Sequence, residues 1–319
     1  MGAHATGLAT LKENRIELVK GLGPVDEVVR KTDIAKLTGS VGMAHSRYIV
    51  WSEESSRYNT VGASHPWIDD TGKIVLMHNG EIKNHRALFD RLRRRHSFQS
   101  YIEELDYITD SEVAVHLLSD ELSGGAEVPE ALRRVAQELT GLFLLCIMHV
   151  DYPETVWVAN CFMPCYIAIG EEEVMFSSVK VGLNHVRDRM TSVFQPPKNS
   201  IIELTRGRAV ITTLDPERRV PDLRLDVNEL GRQIIDVLDK KGETGLLPLL
   251  FSLEEGRLDK AFSLSQKEWE DIHKGGFGDT NYILEAIDML VAEGKVNTRT
   301  EVRAERGLES VPRLVFSLA

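Results

Sequence analysis

The chain has 319 residues, enough for one large domain or two ordinary ones. Apolar residues make up 42% and charged residues 27%, a globular balance that argues against a disordered chain. The 38 lysines and arginines stand against 49 aspartates and glutamates, a net charge of −11, which argues against nonspecific binding to nucleic acid or anionic membrane but leaves a local basic substrate site open.

No apolar h-region follows Met1, and the longest strongly apolar stretch, Leu142–Met148, falls far short of the roughly 20 residues a spanning helix needs. The three cysteines, Cys146, Cys161 and Cys165, cannot all pair within one chain, so a reducing, cytoplasmic location is expected.

Short apolar runs with turn punctuation dominate the first two thirds. Gly7–Leu11, Ile16–Lys20, Ser40–Arg47 and Lys73–Met77 read as strands. So do Leu142–Val150, Thr155–Ala159, Tyr166–Ile169, Val174–Ser177, Ser200–Glu203 and Arg208–Thr212. Helices interrupt them at His85–Arg94, Ser111–Leu122 and Pro129–Leu139. Asp110 is an N-cap type residue before the second, and Pro129 suits a first helical turn. The pattern to about residue 215 is that of a layered α+β unit.

Asp215–Asp226, with Pro216, Pro221 and several charges, reads as a linker. Helical periods follow at Val227–Lys240, Leu246–Glu255, Ser265–His273 and Asn281–Glu293. Lys295–Arg303 and Arg313–Leu318 read as a terminal hairpin with a turn at Gly307. Helices followed by a hairpin form a winged-helix-like arrangement. Residues 221–319 carry 13 Lys+Arg and 19 Asp+Glu, 13 − 19 = −6, so this module is expected to contact protein, as a homo-oligomer contact or with a partner subunit, and not to read DNA.

Three segments carry chemistry: Gly42–Tyr48 with Arg47, Met77–Asn84 with Asn79-Gly80, and Thr109–Glu112 with Asp110. Individually each has a plain reading as a surface ion pair, a turn and a helix cap. Together they fit one substrate. A strand-end arginine clamps a carboxylate through two parallel hydrogen bonds, and an aspartate holds an α-ammonium group. An asparagine side chain and the next backbone N–H converge on one oxygen as an oxyanion hole. Carboxylate, ammonium and amide carbonyl together describe glutamine.

The order and spacing of these segments resemble the class II glutamine amidotransferase domain of glucosamine-6-phosphate synthase, amidophosphoribosyltransferase, glutamate synthase and asparagine synthetase. Ala5-Thr6-Gly7-Leu8-Ala9 resembles its Ser-Ala-Gly-Leu-Ala strand, Ala44–Tyr48 its arginine strand, and Ser64-His65-Pro66 its Ala-His-Pro loop. His78–Ile82 with Asn84 is the nearest match, and Thr109–Glu112 is similar to its Thr-Asp-Thr-Glu helix start. The resemblance spans about residues 4–212.

It implies an N-terminal nucleophile (Ntn) hydrolase fold, a four-layer αββα sandwich, over residues 1–215, with a small helical module over 222–319. It also implies that Arg47 binds the glutamine carboxylate and Asp110 the amino group, while Asn79 and the Gly80 N–H hold the oxyanion. His65 lies in a matching substrate-side loop, where a structural histidine is an equal reading. No cofactor and no metal are expected, and glutamine is the expected small-molecule partner.

The resemblance fails at two places. The family's nucleophile is a cysteine at the mature N-terminus, whereas Gly2 follows Met1 here and no cysteine precedes Cys146. A truncated or mis-started enzyme and a non-catalytic glutamine-binding or interaction module are the two explanations, with hydrolysis not expected of the chain as written. Ile49–Tyr58 also lacks the Thr-His-Gly stretch that follows the family's arginine strand. Cys161 and Cys165 read as packed thiols, not zinc ligands. Arg91–His96 reads as the solvated, dipole-matched end of its helix, and Lys274–Gly278 as a loop without phosphate-loop spacing.

Overall fold

The structure is a computed structural model that describes residues 3–49, 53–218, 225–255, 258–274, 281–305 and 308–319. The chain divides into two compact units, Met1–Val220 and Pro221–Ala319.

The first unit begins with β1 (Ala5–Lys12), β2 (Arg15–Leu22), α1 (Val25–Lys31), β3 (Val41–Arg47) and α2 (Glu53–Ser56). It continues through β4 (Trp67–Ile68), β5 (Ile74–Ile82), α3 (His85–Leu92), α4 (Glu112–Ser123) and α5 (Val128–Glu138). The strands that follow are β6 (Gly141–His149), β7 (Val156–Asn160), β8 (Tyr166–Gly170), β9 (Val174–Ser177), β10 (Met190–Phe194), β11 (Ser200–Thr205) and β12 (Arg208–Thr213).

One layer is a six-stranded antiparallel sheet in the order β12-β11-β7-β6-β5-β4. Its central strands are buried on both faces, which explains their unbroken apolar runs. Alternate residues serve different cores. Ile74 and Leu76 of β5, with Phe143, Leu145 and Ile147 of β6, pack with α3, α4 and α5. Val75 and Met77, with Leu144, Cys146 and Met148, pack with Ala9, Leu11 and Met43 of β1 and β3 and with Ile167 of β8.

The second β layer is two three-stranded sheets, β2-β1-β3 and β10-β8-β9. With α1 against β1 and β2 and a 3-10 segment, Lys180–Arg189, against β8, β9 and β10, the layers run helix, sheet, sheet, helix, as expected of an αββα sandwich.

The second unit consists of α6 (Val227–Lys241), β13 (Thr244–Gly245), α7 (Leu246–Glu255), α8 (Leu258–Ala261), α9 (Gln266–Lys274), α10 (Asn281–Ala292), β14 (Val296–Glu305) and β15 (Leu308–Leu318). Its sheet order is β13-β15-β14, so a short strand between the first two helices pairs with the terminal hairpin, the winged-helix order. Asp226 caps α6 by accepting the N–H groups of Asn228 and Glu229, each at 3.0 Å. The Gly307 turn, the centre of the glycine-rich 274–278 loop and residues 219–224 of the linker lie outside the described residues. Among the described residues no helix is long and apolar enough to cross a membrane.

Candidate functional site

The site residues come from β5 of the six-stranded sheet, the start of α4, and the end of β3 in the β2-β1-β3 sheet. Strand β4 pairs with β5 only at Leu76 and Val75, so beyond Met77 the edge of β5 facing away from β6 has no strand partner among the described residues. Side chains take over that role. The His78 N–H donates to His65 Nδ1 at 3.2 Å, and the Ile82 N–H donates to Asp110 Oδ2 at 2.9 Å. Asn79 and Gly80 lie between these two anchors.

Asp110 therefore does not cap the following helix. The first helical residue of α4 is Glu112, and no side chain caps it. Asp110 instead bridges to β5, with Oδ1 accepting the Ser111 hydroxyl at 2.9 Å.

Gly80 has φ +125°, a left-handed conformation, and a Cβ there would lie 2.1 Å from the Leu142 carbonyl oxygen. Only glycine fits. Asn79 is half-buried and Gly80 is exposed.

Arg47 ends β3 and is 8% exposed. Its Nη1 donates to Asn59 Oδ1 at 3.4 Å, and Asn59 Nδ2 donates to the His4 carbonyl at 3.2 Å. Burial lowers the Arg47 pKa from its ordinary value, while a hydrogen bond to Tyr107 and the charge of Asp110 oppose that shift. Arg47 and Asp110 are thus electrostatic neighbours, and Asp110 is joined to the strand that carries Asn79 and Gly80.

His65 lies beneath the site and not at its open edge. It is buried, stacks on His45 at 3.9 Å between ring centres, and meets Trp67 edge-on at 4.3 Å. With Nδ1 accepting from β5, its proton resides on Nε2. His78 Nδ1 lies 2.8 Å from the Ser111 hydroxyl, which also donates to Asp110, so His78 is the donor in that contact. Burial lowers the pKa of all three histidines, that of His45 to about 3. The motif glycine of β1 has a packing reason as well. A Cβ on Gly7 would lie 2.0 Å from the His65 carbonyl oxygen.

Tyr107, Asn59 and Lys20 carry no sequence signal for the places they occupy. Lys20 Nζ donates to the Ser64 carbonyl at 2.9 Å, and burial brings it down to about 8 although Glu112 pulls the other way. The Thr-His-Gly departure falls on 49–58, of which 50–52 lie outside the described residues. All three cysteines are free and buried. Burial raises the Cys146 thiol and pushes Cys165 up to about 12, while Cys161 accepts a hydrogen bond from Arg218 Nη1 at 2.8 Å.

Residues 54–184 match the family model of a glutamine amidotransferase domain. The chain contains a class II glutamine amidotransferase domain. It is 34% identical over 178 residues to the glutamine–fructose-6-phosphate aminotransferase (isomerizing) of Pyrococcus horikoshii, covering 56% of this chain and 28% of that protein. The Thermococcus kodakarensis protein of the same name is 33% identical over 215 residues, 67% of this chain and 32% of the relative. The chain thus matches about a third or less of each relative's length.

The amidotransferase domain shares its fold with the glutamine phosphoribosylpyrophosphate amidotransferase from B. subtilis, at a TM-score of 0.56 and 16% identity over 74% of this chain and 52% of that one. The structure described as the allosteric regulatory enzyme of purine biosynthesis is similar to the same degree, with a TM-score of 0.57. The Ntn-hydrolase αββα architecture is therefore that of this domain.

Proposed function

We propose that residues 1–215 bind glutamine at the open edge of β5. Arg47 takes its carboxylate and Asp110 its ammonium group, while the Asn79 side chain and the Gly80 N–H face the side-chain amide oxygen. The observation that carries this reading is the Asp110 bond to the Ile82 N–H, which ties an ammonium-binding carboxylate two residues along the strand from Gly80, about 7 Å. The strand's two-residue period favours the same edge for the Gly80 N–H as for those of His78 and Ile82. His65 acts as a positioning residue, holding the backbone just before Asn79.

The reaction of such a site is glutamine to glutamate and ammonia, with ammonia passed to an acceptor. It needs a nucleophile, and in the relatives' chemistry as the sequence resemblance implies it, this is a cysteine thiol. Cys146 and Cys165 are buried with raised pKa values, and Cys161 is held by Arg218. None has the accessible thiolate that attack requires. A polypeptide of this sequence accordingly binds glutamine and does not turn it over. The oxyanion donors stabilise a tetrahedral intermediate only when something forms it.

Calorimetry with L-glutamine tests the binding half. Wild type binds, and Arg47→Ala weakens binding by about 2–4 kcal/mol, the loss expected for a partly buried charge-assisted pair. Equal affinity in both removes Arg47 from the site. Glutamate release by the same sample, its N-terminus verified by mass spectrometry, tests the second half. Turnover in the ordinary enzyme range of about 1–10³ s⁻¹ refutes it.

A further inference from the structure

Away from the β5 edge, three segments of the first unit converge on a second cluster. Asp70 lies in the turn between β4 and β5, His96 follows α3, and His116 is in the middle of α4. One ligand atom from each of these residues lies within 4.8 Å of the other two. Asp70 Oδ2 is 2.8 Å from His96 Nδ1 and 3.7 Å from His116 Nδ1.

His116 supplies a second, independent observation. Its side chain is 1% exposed, and neither ring nitrogen has a hydrogen-bond partner. Buried polar atoms in folded proteins are nearly always satisfied, so an imidazole with both nitrogens orphaned in the interior calls for an occupant. His96 points the same way by a different route. Its Nδ1 faces Asp70 and its Nε2 faces Asp120 Oδ1 at 3.0 Å. A neutral imidazole has one N–H and cannot donate to both carboxylates. A cation between His96, His116 and Asp70 gives His116 Nδ1 a partner and leaves the His96 Nε2–H to donate to Asp120.

We propose that Asp70, His96 and His116 bind a divalent transition metal of the zinc class, through His96 Nδ1, His116 Nδ1 and a carboxylate oxygen of Asp70. Metal–ligand bonds of 2.0–2.2 Å in a tetrahedral site place neighbouring donors about 3.4 Å apart. The separations of 2.8 and 3.7 Å straddle that spacing, so small side-chain rotations admit the ion. The far nitrogen of each histidine faces a carboxylate, His96 towards Asp120 at 3.0 Å and His116 towards Glu112 at 3.9 Å. The His96–Asp120 contact is the arrangement that fixes the tautomer of a metal-bound histidine, whereas the Glu112 distance is beyond a hydrogen bond. Two imidazoles and one carboxylate suit zinc, not the oxygen-preferring magnesium or calcium. Asp70 is 37% exposed, which leaves water access to a fourth position.

The role that follows is structural. The adjacent Asp69 already joins the turn to α4, accepting the Ser119 hydroxyl at 2.8 Å and the Ile74 N–H at 2.9 Å. The metal adds the segment after α3 to that junction and fixes α4, the helix that begins directly after Thr109-Asp110-Ser111.

Untagged protein, stripped of metal by a chelator and dialysed, is titrated with cobalt(II) and then zinc(II). The expected result is the visible absorption of a tetrahedral nitrogen- and oxygen-ligated cobalt site without a thiolate charge-transfer band. Zinc displaces it at one equivalent and raises the melting temperature, and chelation reverses the rise. Asp120→Asn weakens zinc about 10- to 100-fold, and His96→Gln, His116→Gln and the surface-accessible Asp70→Asn abolish the cobalt spectrum. Should His116→Gln fail to fold, Asp70→Asn and His96→Gln decide the matter alone. No cobalt spectrum in wild type, a spectrum unchanged in Asp70→Asn and His96→Gln, or magnesium binding as strong as zinc overturns the proposal.

Discussion

At the residue scale, the histidines beneath β5 give the fold a pH dependence of known sign. His45 is half-buried with its ring stacked on His65, and loss of hydration lowers its pKa to about 3, with His78 and Arg47 adding to the shift. His65 and His78 are lowered too, chiefly by burial. Each therefore binds a proton in the unfolded chain near pH 6.5 that it does not bind in the folded one. The unfolded state holds more protons below that pH, so stability is full above about pH 6.5 and falls as the pH drops towards 3. Each histidine contributes a slope of up to about 1.4 kcal/mol per pH unit inside its window. Urea denaturation at pH 7, 6, 5 and 4 measures it. His45→Leu is expected to flatten the dependence between pH 6 and 4 by about one proton. An unchanged slope in that variant means that His45 is not buried neutral.

At the element scale, Asp110 ties the start of α4 to the free edge of β5. Removing its carboxylate leaves the Ile82 N–H without an acceptor, so Asp110→Ala is expected to cost about 1–3 kcal/mol in chemical denaturation. Asp110→Asn keeps an oxygen for that N–H and loses the negative charge. Its stability is expected to stay near wild type while its glutamine affinity falls at least tenfold. Parallel losses of stability and affinity in Asp110→Asn would mean that the charge serves the fold and not the ligand.

The same elements show what the sequence made legible. The strands β5 and β6 were readable because double-sided burial leaves an apolar run too short for a helix. Arg47, Asn79, Gly80 and Asp110 are picked out as a candidate set because their residue types match one substrate. That Asp110 bonds a strand instead of capping its helix was not readable, since both roles ask for the same side chain. Strand β10, helix α1 and the 3-10 segment Lys180–Arg189 carry mixed polar and apolar residues without clear period, and their pairing is decided by tertiary contacts. The Asp70, His96 and His116 cluster draws on turn, loop and helix positions 20 and more residues apart, a spacing that no short motif encodes. The arginines of the positive run Arg91–His96 are exposed, as a solvated helix end requires, while some also form surface ion pairs. Arg91 pairs with Glu138 and Arg95 with Asp120, and His96 is nearly enclosed.

At the scale of the whole molecule, the second unit combines a winged-helix order with the wrong charge for DNA. A protein that neutralises phosphates needs unpaired lysines and arginines on the face that meets the duplex. Residues 221–319 sum to −6, 13 cations against 19 anions. Two described arginines of the hairpin are also engaged. Arg299 pairs with Glu243 and Glu301, and Arg303 pairs with Glu301. Arg232 on α6 pairs with Glu229. A duplex phosphate would have to displace a carboxylate at each of these positions, and the surrounding negative field would oppose its approach before contact. The unit is therefore expected to serve protein contact, with no specific DNA complex at 0.15 M salt. Gel shift and fluorescence anisotropy with random and selected duplexes measure this directly. A complex whose affinity falls steeply with added salt and that prefers one sequence would show that the hairpin reads DNA despite its charge, and Arg299→Ala and Arg303→Ala would then locate the contact.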